Sequence, residues 1–314
     1  MFANPFKLKK RGILGMNARN IEYISKYNDR KNYPLVDDKL KTKQIAQKHG
    51  IAVPDLIGFI QYQVEINTFE KMIENKNSFV IKPAQGSGGR GILVIVNTDN
   101  DEYIKPSGEK VSHSDVRRHI SNILSGLYSL GGKNDVAVFE SLVDFDEAFE
   151  GFSFEGVPDV RIIVYKGYPA MAMMRLSTAE SDGKANLHQG AVGVGIDIVT
   201  GKAISAVQHD SPATHHPDTG KDLLTLVVPH WETILPLSAK CYDITEMGYL
   251  GADIVIDKKR GPLILELNAR PGLAIQIAND LGALKRFDEI DKVAGSHKSL
   301  KERVQFSKDM FGAK

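Results

Sequence analysis

Residues 86–91 read Gly-Ser-Gly-Gly-Arg-Gly and stand between two strand-like runs, Phe79-Val80-Ile81-Lys82-Pro83 and Ile92-Leu93-Val94-Ile95-Val96. The spacing matches G-x-G-x-x-G, but a Rossmann loop leads straight into a helix whose N-terminus receives the pyrophosphate. A β-branched strand follows here, which argues against a dinucleotide fold. No Gly-Lys-Ser/Thr closes the loop, so it is not a Walker loop. A kinase lysine lies on the strand after its glycine loop, and no His-Arg-Asp or Asp-Phe-Gly triplet occurs in this chain. What remains is a glycine flap between two strands, with Lys82 just ahead of it. Glycines let backbone N–H groups approach phosphate oxygens, and Lys82 adds a point charge whose effect should shrink at high salt. The plainer alternative is a tight hairpin, but four glycines in six residues cost more backbone entropy than a hairpin needs.

The 314 residues supply chain for two or three core-bearing lobes. Forty basic and 39 acidic residues give a net charge of +1, so no global field attracts nucleic acid or an anionic membrane. The lone Cys241 cannot form an internal disulfide and suits a reducing, cytoplasmic setting. No apolar run approaches the roughly 18 residues of a membrane span. The basic start, Lys7 to Arg11, reads as solvated surface, with peripheral docking the minority reading.

The first half alternates helix and strand. Residues 37–50 predict a helix capped by Asp37 or Asp38 and stopped by Gly50. Residues 113–130 predict a second, with Val116, Ile120, Ile123, Leu124 and Leu127 on one face. The second half predicts a mostly antiparallel sheet built from hairpins, one long helix entered near Pro229, and a loosely docked C-terminal helix. Between them lies the loop 209–220, with His209, His215, His216, Asp210 and Asp218. It reads as a turn-rich loop or a substrate loop, with zinc well behind because no spaced ligand pair supports it.

Residues 263–272, Leu-Ile-Leu-Glu-Leu-Asn-Ala-Arg-Pro-Gly, put Glu266 and Asn268 on one face of a strand. That face is either solvated or a metal site. If residues 258–261 form a four-residue hairpin loop, Asp257 pairs with Pro262 and Asp253 lies opposite Glu266.

Asp37-Asp38-Lys39…Thr42, Phe79–Ile92, Val138–Val143, Asp159-Val160-Arg161, Asn186–Ala191, Gly251–Asp257 and Leu265–Gly272 occur in that order. The ordered set resembles the ATP-grasp superfamily of carboxylate–amine ligases, and within it the RimK-like glutamate-ligase branch, over residues 37–285. The resemblance implies an α+β ATP-grasp fold of two lobes, 37–142 and 143–290, with the nucleotide between them. A short N-terminal segment (1–36) and a tail helix (291–314) flank the lobes. It implies ATP with Mg²⁺, or Mn²⁺, and an amide formed through an acyl-phosphate. The partners implied are a small-molecule or peptide carboxylate and an amino-acid amine. Lys39, Lys82, Gly86, Ser87, Gly88, Gly89 and Gly91 are implied to meet the nucleotide. Glu140, Ser141, Leu142 and Val143 form the adenine hinge, with Glu140 on the amino group, and Glu147 or Asp144 holds ribose. Arg161, Arg175 and Asn186 surround the transferred phosphoryl group. Asp253, Glu266 and Asn268 ligate magnesium, relieving the repulsion of two close carboxylates. A kinase that phosphorylates a hydroxyl, or a nucleotide-binding regulator without turnover, is the alternative.

Overall fold

A computed structural model describes residues 5–86, 88–99, 102–129, 131–296 and 299–312. The chain divides into two compact units. The smaller comprises Asp37–Ile45 and Val53–Val143, the larger Met1–Val36, Ala46–Ala52 and Asp144–Lys314.

Helix α1 (Lys39–Lys48) starts at Asp38, whose Oδ1 accepts from the amides of Leu40 and Lys41 at 3.1 and 3.2 Å. Strands β1 (Leu56–Ile60), β2 (Phe79–Pro83) and β3 (Leu93–Ile95) follow. Next come the ribbon β4 (Asn97–Asp99), β5 (Glu102–Ile104) and β6 (Lys110–Val111), then helix α2 (His113–Leu124) and strand β7 (Ala137–Glu140). The main sheet has the order β1-β7-β2-β3 and is antiparallel throughout. A reciprocal Ser112–Asp115 capping box opens α2. Its Val116, Ile120 and Ile123 pack with Phe79, Ile81 and Phe139 into one core.

Leu127 departs from the helical face predicted for it. Helix α2 ends at Leu124 because Gly126 takes a left-handed conformation (φ +82°), and Leu127 is 64% exposed. Leu127→Ala is therefore expected to change unfolding free energy by less than about 0.5 kcal/mol, the usual surface range. A core leucine would cost about 2–5 kcal/mol; urea titration separates the two.

In the larger unit, strands β8 (Asp159–Tyr165), β9 (Tyr168–Leu176), β10 (Val192–Ile196), β11 (Ala203–Gln208), β12 (Ser211–Pro212), β13 (Tyr249–Asp257) and β14 (Gly261–Asn268) form an antiparallel sheet. Its order is β12-β11-β10-β9-β8-β13-β14. Helices α3 (Trp231–Thr245), α4 (Leu284–Val293) and α5 (Leu300–Phe311) pack on it. The N-terminal stretch is stitched to the sheet. Asn28 bonds the backbone of Tyr249 and Ala269, and Tyr23 joins a ring cluster with Tyr165, Tyr249 and Phe287. Helix α5 is firmly docked, not loose: Val304, Ser307 and Phe311 are buried, and Arg303 Nη2 donates to both Asp243 oxygens at 2.7 and 2.8 Å. No described helix is long and apolar enough to cross a membrane.

The β13–β14 hairpin differs from its predicted register at the turn. Asp257 pairs with Gly261 and Ile256 with Pro262, so the loop has one residue fewer than expected. The register then shifts between Asp253 and Ile254, leaving Leu265 as an extra residue on β14. The bulge restores Asp253 opposite Glu266. The expected pairing is met by a different path.

Candidate functional site

In the smaller unit, antiparallel pairing sets Val80 against Glu140 and Lys82 against Val138, which brings Lys82 and Glu140 together diagonally. Lys82 Nζ lies 2.7 Å from Glu140 Oε2. Lys43, on α1, places its Nζ 3.2 Å from Glu140 Oε1 and donates to the Pro54 carbonyl. All three side chains are almost wholly buried, Lys82 at 5% exposure and Glu140 at 2%. Two ammonium groups share one carboxylate, so the trio carries an uncompensated positive charge. Buried charge of that kind calls for an anion. Lys43 is the functional candidate missed in the sequence. It lies four residues after Lys39, one helical turn away on the same face, and that spacing is the signal that could have found it.

Burial pushes the Lys43 ammonium down to about 8, with Glu140 pulling up and Lys82 pushing down. The unfolded chain therefore holds a proton between about pH 8 and 10.5 that the folded chain has released, and this group adds stability as pH rises through that window. An anion beside Lys43 reverses the shift. ATP binding near pH 8 is expected to take up protons, and affinity to fall as pH rises above 8. Calorimetry in buffers of different ionisation enthalpy measures the uptake, which Lys43→Ala should remove.

Lys39 reaches the flap instead, donating to the Gly86 carbonyl at 2.7 Å. Gly88 and Gly89 both have positive φ and face open space, so the middle of the flap is bare backbone. Ser87 lies outside the described residues. Glu140 turns both oxygens toward lysines. The Ser141 amide donates to the Asp55 carbonyl, and the Asp55 amide donates to Ser141 Oγ. Among the described residues, the amides of Leu142 and Val143 have no hydrogen-bond partner.

In the larger unit the cluster centres on Asp253, which is 3% exposed and lies opposite Arg161 on one side and Glu266 on the other. Arg161 binds it with both prongs, at 2.7 and 2.6 Å. Arg175 Nη2 adds a third contact at 2.8 Å and Asn268 Nδ2 a fourth at 3.0 Å. Arg175 also forks onto Asp159 at 2.6 and 2.7 Å. Asp159, a second missed residue, precedes Arg161 by two positions and so shares its face. Burial pushes the Asp253 carboxyl up, but Arg161 and Arg175 outweigh it and hold it below the usual range. Burial likewise works against the Arg175 charge, and Asp159 and Asp253 overcome it.

The charge of Asp253 is thus met here by two arginines. The donor set of Asp253, Glu266 and Asn268 is oxygen-only, as Mg²⁺ prefers. Glu266 is half-buried, and Asn268 turns its nitrogen to Asp253, leaving Oδ1 directed elsewhere. Their oxygens are of the kind a hard cation takes. Asp253 accepts four N–H bonds, one at Oδ1 and three at Oδ2, so its Oδ1 keeps acceptor capacity for such a site.

Asn186 Oδ1 accepts from His188 N at 3.1 Å and caps the turn Leu187–Gln189. Glu147 pairs with Lys258 on an exposed surface, and the Asp144 amide donates to Asp257. His216 is buried and its Nε2 bonds the Ser177 carbonyl at 3.0 Å, while His209 pairs with Glu180 at 2.8 Å. Among the described residues, no three His, Cys, Asp or Glu side chains converge on a metal position.

A lysine-preceded glycine flap in one α+β unit and a carboxylate–arginine hairpin in the other define an ATP-grasp protein. The chain belongs to the sugar-transfer associated ATP-grasp family, whose profile matches residues 18–292. Among solved structures it is similar to the ATP complex of a D-alanine–D-alanine ligase from Bacillus anthracis, at 14% identity and TM-score 0.50. That match covers 89% of this chain and 71% of the ligase. It also matches the D-cycloserine synthetase DcsG (13%, TM-score 0.47, 94% and 83% covered) and the ligase PsnB with its minimal precursor (13%, 0.46, 84% and 61%). The chain thus spans under two thirds of the length of PsnB. Comparison with curated proteins finds no match.

Proposed function

We propose that this chain is an ATP-dependent, ADP-forming ligase that activates a carboxylate and joins it to an amine. The observation that carries this reading is the paired arginines on Asp159 and Asp253, beside Glu266 and Asn268. A pre-set fork of donors suits charge that develops during phosphoryl transfer, where the protein contributes chiefly positioning and electrostatics. Lys43, Lys82 and the flap amides hold the nucleotide phosphates, Lys39 steadies the flap, and Leu142 and Val143 read the adenine. Asp253, through Oδ1, with Glu266 and Asn268, would hold Mg²⁺. When bound, the cation neutralises phosphate charge.

A carboxylate oxygen attacks the γ-phosphorus and the bond to the β–γ bridging oxygen breaks, releasing ADP. The amine lone pair then attacks the acyl carbon, phosphate leaves, and the amine loses a proton. The narrowest form, glutamate addition in the manner of RimK-like ligases, rests on the motif order. A second reading, phosphoryl transfer to a hydroxyl, is favoured by the family's association with sugar transfer. A cytoplasmic setting, where ATP is held and thiols stay reduced, suits the buried Cys241.

An ADP-release screen over amino acids, acidic peptides and sugars tests these readings. Release that needs both a carboxylate and an amine supports the ligase. Release with a hydroxyl compound alone supports the kinase, and tight ATP binding without release supports a regulator.

A further inference from the structure

The glycine flap is gripped at both ends by the turn that follows α2. At its far end, His119 of α2 places Nε2 3.0 Å from the Gly91 carbonyl. A carbonyl only accepts, so Nε2 carries the hydrogen. Burial holds the His119 imidazole below the ordinary histidine range, so the ring stays neutral at pH 7. Tyr128 lies so close to Gly91 that a Cβ there would sit 2.4 Å from its ring, and Gly91 has φ +75°. Both facts require glycine. The His119 and Tyr128 rings pack on each other with centroids 5.6 Å apart.

The near end is held by the next residue along the turn. Gly86 forms a β-bridge with Ser129. Ser129 Oγ donates to Asp135 Oδ2 at 2.5 Å, and the Asp135 carboxylate accepts the Gln85 amide at 3.0 and 3.1 Å. Two adjacent residues, Tyr128 and Ser129, thus hold the two ends of one loop. An ordinary exposed hairpin has no need of such posts.

We propose that Tyr128 and Ser129 are the fixed posts of the flap, and that His119 is the positioning residue that locks its Gly91 end to present backbone amides to a nucleoside triphosphate. The proposal rests on the nucleotide-binding reading above. A loop rich in glycine loses much backbone entropy when it closes on phosphate. Fixing both ends shortens the stretch whose entropy is lost on binding, which pre-organises the amides and favours binding.

Two variants separate the hydrogen bond from the packing: His119→Phe keeps a ring against Tyr128 but has no donor, and His119→Gln keeps an Nε2 donor. The readout is tryptic cleavage of the exposed Arg90–Gly91 bond in the full chain, followed by mass spectrometry with and without AMPPNP and MgCl₂. Without nucleotide, His119→Phe is expected to be cut about fivefold faster than wild type, as one neutral hydrogen bond is lost, and His119→Gln at the wild-type rate. AMPPNP is expected to protect wild type and His119→Gln at lower concentration than His119→Phe. Wild-type cleavage in folded His119→Phe overturns the lock, and His119→Ala serves the same comparison if the phenylalanine variant misfolds. Faster cleavage in His119→Phe, together with a wild type that AMPPNP does not protect, retains the lock and overturns the nucleotide reading.

Discussion

Arg175→Lys is expected to fold and to lose about 10²–10³ in turnover, the usual cost of one donor aimed at developing charge, while ATP affinity holds. Arg175 reaches two buried carboxylates with one planar fork, Nε and Nη2 to Asp159 and Nη2 again to Asp253. A lysine keeps the charge between those carboxylates but cannot reproduce the fork. Arg175→Ala is a harsher change, because it removes the guanidinium bonded to Asp159 and leaves Asp253 with Arg161 and the neutral Asn268. Breaking a buried pair this way costs about 3–5 kcal/mol, so thermal unfolding should show it directly. The two variants thus divide structural from kinetic loss. Full turnover in folded Arg175→Lys, measured by ADP release on whichever substrate pair the screen identifies, would remove Arg175 from the chemistry.

Much of the larger sheet was legible from period-two patterning and turn residues, because its strands are joined by hairpins and neighbours in sequence are neighbours in space. The position of Asp253 against Glu266 was legible for a subtler reason. The expected loop was one residue too long, and the bulge at Leu265 compensates, restoring both residues to one face. Leu127 was misread because its apolar character continued the α2 stripe, while Gly126 just before it already ended the helix. The ionic partners were harder to see. Asp159 answers Arg175 from a neighbouring strand, and Lys43 answers Glu140 from a helix, so each pair is formed by topology rather than by local spacing. Those partnerships change the meaning of Glu140. Its carboxylate faces two ammonium groups, which suits it to orienting those lysines.

Lys82→Met is expected to weaken ATP binding by about 1.5–3 kcal/mol, the range for a hydrogen bond to a charged group. By affinity arithmetic that is roughly tenfold to more than a hundredfold. A lysine on an exposed flap would lose this contribution in salt, as the sequence alone suggests. Lys82 is instead 5% exposed, 2.7 Å from Glu140, and buried charges are screened much less than exposed ones. The affinity lost in Lys82→Met should therefore be nearly the same at low and high salt. Methionine fills most of the lysine volume, so the packing of β2 against β7 is kept, and Glu140 retains Lys43 as its partner. The trio then falls from an excess positive charge to a balanced pair, and a balanced pair gives a phosphate no reason to dehydrate. Titrating ATP at two salt concentrations, with unfolding midpoints in parallel, reads both consequences. Wild-type affinity in folded Lys82→Met would show that the phosphates lie elsewhere, and an affinity loss that disappears in salt would place Lys82 at the surface when nucleotide is bound.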